Sequence, residues 1–196
     1  MISNATDRCR PIEAIPDSEL RAIKAVFFDI DDTFSGGEGQ SRILPQAYEA
    51  LWRLKRAGYV VVPVTGRPAG WCDFITRMWP VTGVVGENGA FFSYLDTSKK
   101  PQKLSIHVNA WFGKYDKLAC VRRILSTFFR IDFPNIVYIG DSPNDEPFFE
   151  RLPITVGVAN VYGFLGRMKH HPAYVTRGDG GQGFAEFAER LLGVRK

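Results

Sequence analysis

The sequence predicts a three-layer α/β fold with a mainly parallel central sheet. Three observations carry this: short continuous apolar runs of strand length, helical patterns of apolar residues between them, and polar residues gathered just after the runs. A continuous apolar run is what a strand buried on both faces requires. Strands that alternate with helices at this spacing imply parallel pairing through crossover connections.

The first run is residues 25–28. Ala47, Leu51 and Leu54 then recur at helical spacing, with Pro45 near the start and Gly58 just past the end. Residues 60–64 read as a second buried strand, although Pro63 cannot donate to a ladder. Residues 69–79 read as a helix stopped by Pro80, and 81–85 as a third strand. Beyond Asp116, the residues Leu118, Val121, Ile124, Leu125 and Phe128 form one apolar helical face. Residues 136–139 read as a strand, 144–151 as a short helix and 154–158 as a strand. Residues 173–176 read as an edge strand and 184–192 as a closing helix. Between Asn88 and Lys117 the rhythm changes. There, 90–95 and 104–109 read as a hairpin joined by the polar turn DTSKKPQK. The expected organisation is a partly loose N-terminal extension over 1–23 and a core over 24–192, with 89–116 a rudimentary cap or hairpin insert.

The chain has 196 residues, 45% of them hydrophobic and 23% charged. That balance suits one domain with a core, and it excludes disorder, collagen and a disulfide scaffold as global descriptions. The net charge of +4 arises from 25 basic residues interspersed with 21 acidic ones, which is no footprint for nucleic acid. Three cysteines, Cys9, Cys72 and Cys120, are an odd number at no metal-ligand spacing and suit a reducing compartment. No apolar stretch approaches the roughly 18 residues that span a bilayer. The start, MISNATDRCRPIEAIPDSEL, is polar and lacks the apolar core of a signal peptide. A soluble cytoplasmic protein without membrane or nucleic-acid partners is expected.

Ligands of an open parallel sheet bind at the carboxyl ends of its strands, so the residues just after each run are the informative ones. Asp29-Ile30-Asp31-Asp32-Thr33 follow the first run. Carboxylates two apart in an extended segment point to one side, so Asp29 and Asp31 share a small volume and repel unless a cation or proton relieves them. Thr65-Gly66-Arg67 follow the second run, and Gly140-Asp141-Ser142-Pro143-Asn144-Asp145 follow the strand at 136–139. One acid after a strand is commonly a helix cap or turn residue. Three strands ending this way point to one phosphate-plus-metal site. Oxygen-only ligation favours magnesium over zinc. Lys117 sits in the first turn of its helix, where the macrodipole disfavours a cation. Either Asp116 and solvent offset it, or its charge is aimed at a phosphoryl group.

Other groups read more plainly. His107, His170 and His171 share no ligand spacing, and Trp52, Trp71, Trp79 and Trp111 read as core or rim. Lys99, Lys100 and Lys103 are a solvated turn, or else a positive approach for an anionic substrate.

In this order FFDIDDT, VTGR, Lys117 and GDSPND resemble the four motifs of the haloacid dehalogenase-like hydrolase superfamily. ENGA (87–90) and the tail VGVANV, AYVT and GGQGFAEFAERLL are similar to its Cof-type, sugar-phosphatase branch. The resemblance runs from about residue 24 to 192 and implies a Rossmann-like fold. It implies that Asp29 is the nucleophile, forming an aspartyl phosphate, and that Asp31 is the acid and then the base. Such covalent catalysis divides one hard displacement into two easier ones. It further implies that Thr65, Gly66, Lys117 and Asn144 bind the phosphoryl group. Magnesium would be held by the Asp29 carboxylate, the Asp31 carbonyl and Asp141, with Asp145 supporting through water. An acid at Asp31 points to phosphate-ester hydrolysis, since dehalogenases of this fold lack it. Asp32 stands where glycine is common in the family. The expected function is a magnesium-dependent phosphatase for a small phosphorylated metabolite such as a sugar phosphate. A phosphomutase and a non-catalytic binding protein are the alternatives. Cof-type relatives insert a substantial cap between the second and third motifs. Residues 89–116 fall below the roughly 40 that support a separate core. The site is therefore expected to be open, with Phe91, Phe92 and Tyr94 at its rim, unless a second subunit supplies a lid.

Overall fold

The apolar runs become a six-stranded sheet in which every pairing is parallel. The computed structural model describes residues 9–37, 42–96, 105–110 and 116–195. The sheet holds β1 (Arg10–Pro11), β2 (Ala25–Phe28), β3 (Val60–Pro63), β7 (Ile136–Gly140), β8 (Thr155–Gly157) and β9 (Tyr174–Val175), in the order β1-β9-β8-β7-β2-β3. β2 is central, with Ala25 level with Val60 on one side and Ile136 on the other. Pro63 is tolerated because β3 closes this sheet and one side of its backbone needs no partner along the strand.

Side chains alternate between the two faces, as the pleat requires. Val26 and Phe28 face a layer with α2 (Pro45–Arg56) and α6 (Gly180–Gly193), whose Leu51, Leu54, Phe184 and Phe187 are fully buried. Ala25 and Phe27 face the opposite layer with α4 (Lys117–Ile124) and α5 (Glu146–Arg151), through Val121, Ile124 and Phe148. This is the three-layer α/β arrangement expected from the sequence.

Two expectations need correction. The segment 1–23 is no loose extension from Arg10 onward: β1 pairs with β9, and α1 (Asp17–Ala22) follows. Ile12, Ile15, Leu20 and Ile23 are at most 2% exposed and belong to the α2–α6 layer. Burying four large side chains far exceeds what an ornamental tail needs. We expect Leu20→Ala to cost about 2–5 kcal/mol, the usual range for a fully buried leucine, measurable by urea unfolding. A change below the error of that measurement would mean that the segment does not belong to the core.

The second correction concerns the strand expected at 81–85. It starts later, as β4 (Val84–Gly86), and is joined to the parallel sheet by the isolated Val64–Val85 bridge. It pairs antiparallel with β5 (Phe91–Asp96), which pairs antiparallel with β6 (Ser105–Ala110). Phe91 and Phe92 are therefore in the interior, not at a rim: they are 7% and 1% exposed. Phe92 packs against Phe128 and Phe129, beyond α4, because β5 is the middle strand and is covered on that face. Tyr94 is half-buried and stacks on Phe92. Lys99, Lys100, Lys103, Trp111 and the His107 side chain lie outside the described residues.

The remaining side groups are structural. Trp79 packs on Phe34, whereas Trp52 and Trp71 are exposed. His170 pairs with Glu146, and the His171 ring meets two backbone carbonyls. Among the described residues no helix is long and apolar enough to cross a membrane.

Candidate active site

The carboxyl ends of β2, β3 and β7 meet the N-terminus of α4, and the polar residues singled out in the sequence converge there. Asp29 follows β2 and is anchored by its N–H to the Ile139 carbonyl at 2.9 Å. Asp32 has φ +56°, the left-handed region where glycine is at ease and aspartate is among the few tolerated alternatives.

The ENGA segment brings Lys117 into place. Asn88 (φ +54°) donates its N–H to the Thr65 carbonyl at 2.9 Å, tying the segment to the end of β3. Gly89, at φ +103°, lies so close to the start of α4 that a Cβ there would come within 2.2 Å of the Asp116 carbonyl. Glycine is required at that contact. Asp116 caps α4, accepting from the Ala119 N–H at 2.7 Å. Lys117 follows at once and is 6% exposed.

A charge network forms around Lys117. Its Nζ donates to Asp29 Oδ1 at 2.5 Å and to Asp145 Oδ1 at 3.1 Å. These two carboxylates offset the poor position of a cation at a helix N-terminus. Asp145 is wholly buried, and its Oδ1 also accepts from the Tyr138 hydroxyl at 2.6 Å. Its Oδ2 accepts from the Asp141 N–H at 3.1 Å and from the Ser142 N–H and hydroxyl at 3.4 Å. Both oxygens are thus taken up by protein donors. Asp145 Oδ1 accepts two donors and Oδ2 three, whereas each Asp141 oxygen accepts one, so Asp145 is the more saturated acid and backs Lys117.

Asp141 is held by two residues that the motif reading left without a role. Thr33 donates to Asp141 Oδ1 at 2.9 Å, and Asn160 Nδ2 donates to Asp141 Oδ2 at 3.0 Å. Asn160 also donates to the Asp32 carbonyl and accepts from the Gly180 N–H, so it ties three loops together. The signal for it was the VGVANV tail, where an amide stands three residues past a buried strand. Asn144, by contrast, is exposed on its turn and joins none of these bonds.

Asp31 is the exposed member, its side chain 55% accessible, and it pairs with Arg67 through two hydrogen bonds. The Arg67 guanidinium lies 4.2 Å over the Trp71 ring. Thr65 is fully buried, and its hydroxyl accepts from the Arg67 N–H at 3.1 Å. A Cβ at Gly66 would sit 3.2 Å from the Asn88 amide, so the small residue lets the two loops close on each other. Arg67 was read only as part of a motif; its partner 36 positions away gives no local signal.

The electrostatics describe a site short of positive charge. Burial, and then Asp145, push the Asp29 carboxyl up to about 7 in spite of Lys117. Burial and Asp145 likewise push Asp141 up to about 7. Burial works against the Lys117 ammonium, but Asp145 and Asp29 outweigh it and hold it above its ordinary value. Among the described residues no three His, Cys, Asp or Glu side chains converge as a metal group. Two neighbouring carboxylates that resist ionisation, Asp29 and Asp141, fit a hard cation that keeps water or substrate oxygens as its other ligands. Magnesium binds in that manner.

Residues 26–109 match the family model described as haloacid dehalogenase-like hydrolase. No curated protein sequence matches the chain. Solved structures match over most of its length. A probable YrbI family phosphatase from Pseudomonas syringae pv. phaseolica is 17% identical, with a TM-score of 0.67 over 91% of this chain and 90% of that one. The 3-deoxy-D-manno-octulosonate 8-phosphate phosphatase from Moraxella catarrhalis, in complex with magnesium, phosphate and KDO, is 17% identical, with a TM-score of 0.66 over 91% and 90%. The cobalt-bound deoxy-D-mannose-octulosonate 8-phosphate phosphatase from Haemophilus influenzae is 16% identical, with a TM-score of 0.65 over 90% and 91%.

Proposed function

We propose that the chain is a magnesium-dependent phosphatase that hydrolyses a small phosphomonoester through an aspartyl phosphate on Asp29. One observation carries the reading: a buried lysine is bonded to the candidate nucleophile and held by a second buried acid, at the carboxyl edge of a parallel sheet. Lys117 orients the Asp29 carboxylate and keeps one N–H to offer an incoming phosphoryl oxygen. Thr65, beside Gly66, adds a hydroxyl for a second oxygen. Asp31 protonates the leaving oxygen and then activates water, its carboxylate oriented by Arg67. Asp29, Asp141 and the Asp31 carbonyl would hold the cation, which when bound would offset the repulsion between an anionic carboxylate and an anionic phosphate. Asp145 acts through Lys117. Three free cysteines suit the cytoplasm.

The alcohol portion of the substrate leaves toward Arg67. A cleft of about 250 Å³ opens there, with Arg42, Arg67, Trp71 and Trp79 on its walls. Two cations in a partly aromatic cleft support a substrate with a second anionic group. The octulosonate 8-phosphate for which the similar structures are named is of that kind. The 89–116 insert is short, so discrimination among phosphate esters should be modest unless a second copy covers the site. The test is a panel of phosphorylated metabolites and nitrophenyl phosphate with and without magnesium, with sedimentation on the same sample. We expect turnover only with magnesium, and faster turnover of sugar-acid phosphates than of neutral sugar phosphates. No turnover of any phosphomonoester would overturn the reading.

A further inference from the structure

Tyr138 takes no part in the roles assigned so far, yet its hydroxyl reaches the centre of the charge network. We infer that Tyr138 is a positioning residue: its hydroxyl pins the Asp145 oxygen that holds Lys117, and so sets where the Lys117 ammonium meets the transferring phosphoryl group. The inference rests on the phosphatase reading.

Tyr138 lies in β7, which is paired on both sides, by β2 and β8, and the residue is wholly buried. Its ring lies flat against Phe148, with centroids 3.7 Å apart and planes 6° from parallel. The hydroxyl therefore has little freedom to move. It donates to Asp145 Oδ1 at 2.6 Å, the same oxygen that accepts from Lys117. The opposite side of the carboxylate is clamped by the Asp141 and Ser142 N–H groups. Gly140 closes the cradle, since a Cβ there would lie 2.4 Å from Asp145 Oδ2. Burial, and then Asp145 and Asp29, hold the Tyr138 phenol well above its ordinary value, so it remains a donor across the working range.

The consequence follows from the donor count of an ammonium. Lys117 has three N–H groups, and two are directed at Asp29 and Asp145. The direction of the third is fixed by where those two acceptors lie. Without the tyrosine hydroxyl, Asp145 Oδ1 has Lys117 as its only donor among these groups and draws the ammonium away from Asp29. A phenylalanine keeps the stacking on Phe148 and removes only this restraint.

The experiment is Tyr138→Phe in the full chain with saturating magnesium and nitrophenyl phosphate as substrate. We expect kcat to fall roughly tenfold while KM stays within about twofold, the pattern of an interaction made chiefly in the transition state. Calorimetry gives a second readout. Affinity for orthovanadate, which mimics the five-coordinate phosphorus, should weaken roughly tenfold, and affinity for inorganic phosphate by less than about twofold. A thermal melt on the same samples reports the folded fraction. Wild-type kcat and vanadate affinity in the variant would overturn the inference, and so would a kcat loss that vanishes once rates are expressed per folded molecule. An inactive wild-type chain would overturn the phosphatase reading and this inference with it. An active wild type beside an unimpaired variant would overturn this inference alone.

Discussion

Asp29→Asn should lose turnover by on the order of ten-thousandfold, the scale seen when a member of a covalent catalytic unit is removed. The amide keeps the shape of the side chain and a carbonyl oxygen for Lys117, but it cannot attack phosphorus or carry the charge that faces the cation. Stability separates this from simple unfolding. The Asp29 carboxyl is raised in the folded protein to about 7, above its ordinary value of 3.8. The folded state therefore binds the proton more tightly than the unfolded chain does. Its contribution to stability is fully present below the unfolded value and is lost as pH rises through the folded one. An amide that never ionises escapes that loss, and Lys117 retains Asp145 as a partner. The variant should thus melt no lower than wild type near pH 8, measured without metal. Hydrolysis at close to the wild-type rate would remove Asp29 from the nucleophile role.

Chelation should abolish activity, and the dependence of stability on pH should show why. Asp29 and Asp141 are both raised to about 7, by burial first and by Asp145 next. Without a divalent cation, stability should fall as pH rises from about 4 to about 7 and then level off, because the folded state holds protons that the unfolded chain has released. Magnesium requires the ionised carboxylates and competes with those protons. The rise in melting temperature on adding magnesium should therefore be small near pH 5 and larger near pH 8. Calcium should restore little turnover, since it takes more ligands at longer distances and would misplace the nucleophile. A magnesium-induced rise that shrinks with increasing pH, or full activity in excess chelator, would refute this picture.

Much of the fold was legible because strands buried on both faces must be continuous apolar runs, and those runs are visible one residue at a time. Residues 25–28 and 136–139 read correctly for that reason. The N-terminal segment was misread because its strand is two residues long and its helix six, too short for any period to register. Phe91 and Phe92 were misassigned to a rim because consecutive aromatics carry no information about which sheet will take them. Only the antiparallel pairing with β4 and β6 decided that both are covered.

The same division runs through the candidate site. Asp29, Thr65, Lys117 and Asp141 could be picked out in the sequence, since a parallel sheet delivers whatever follows its strands to one edge. What each side chain does there is set by partners far along the chain. Lys117 meets Asp29 across 88 positions, and Thr33 meets Asp141 across 108. Asp145 reads in the sequence as one more acid for a cation, and only the fold brings Lys117, Tyr138 and the β7 loop onto its oxygens. The sequence by itself determined the kind of chemistry, because strand ends and residue types are local properties. The tertiary structure alone decided which acids meet Lys117 and how far each is taken up by protein donors. Hydrogen-bond saturation and desolvation depend on every group packed around an atom, and those groups come from four separate strands and loops.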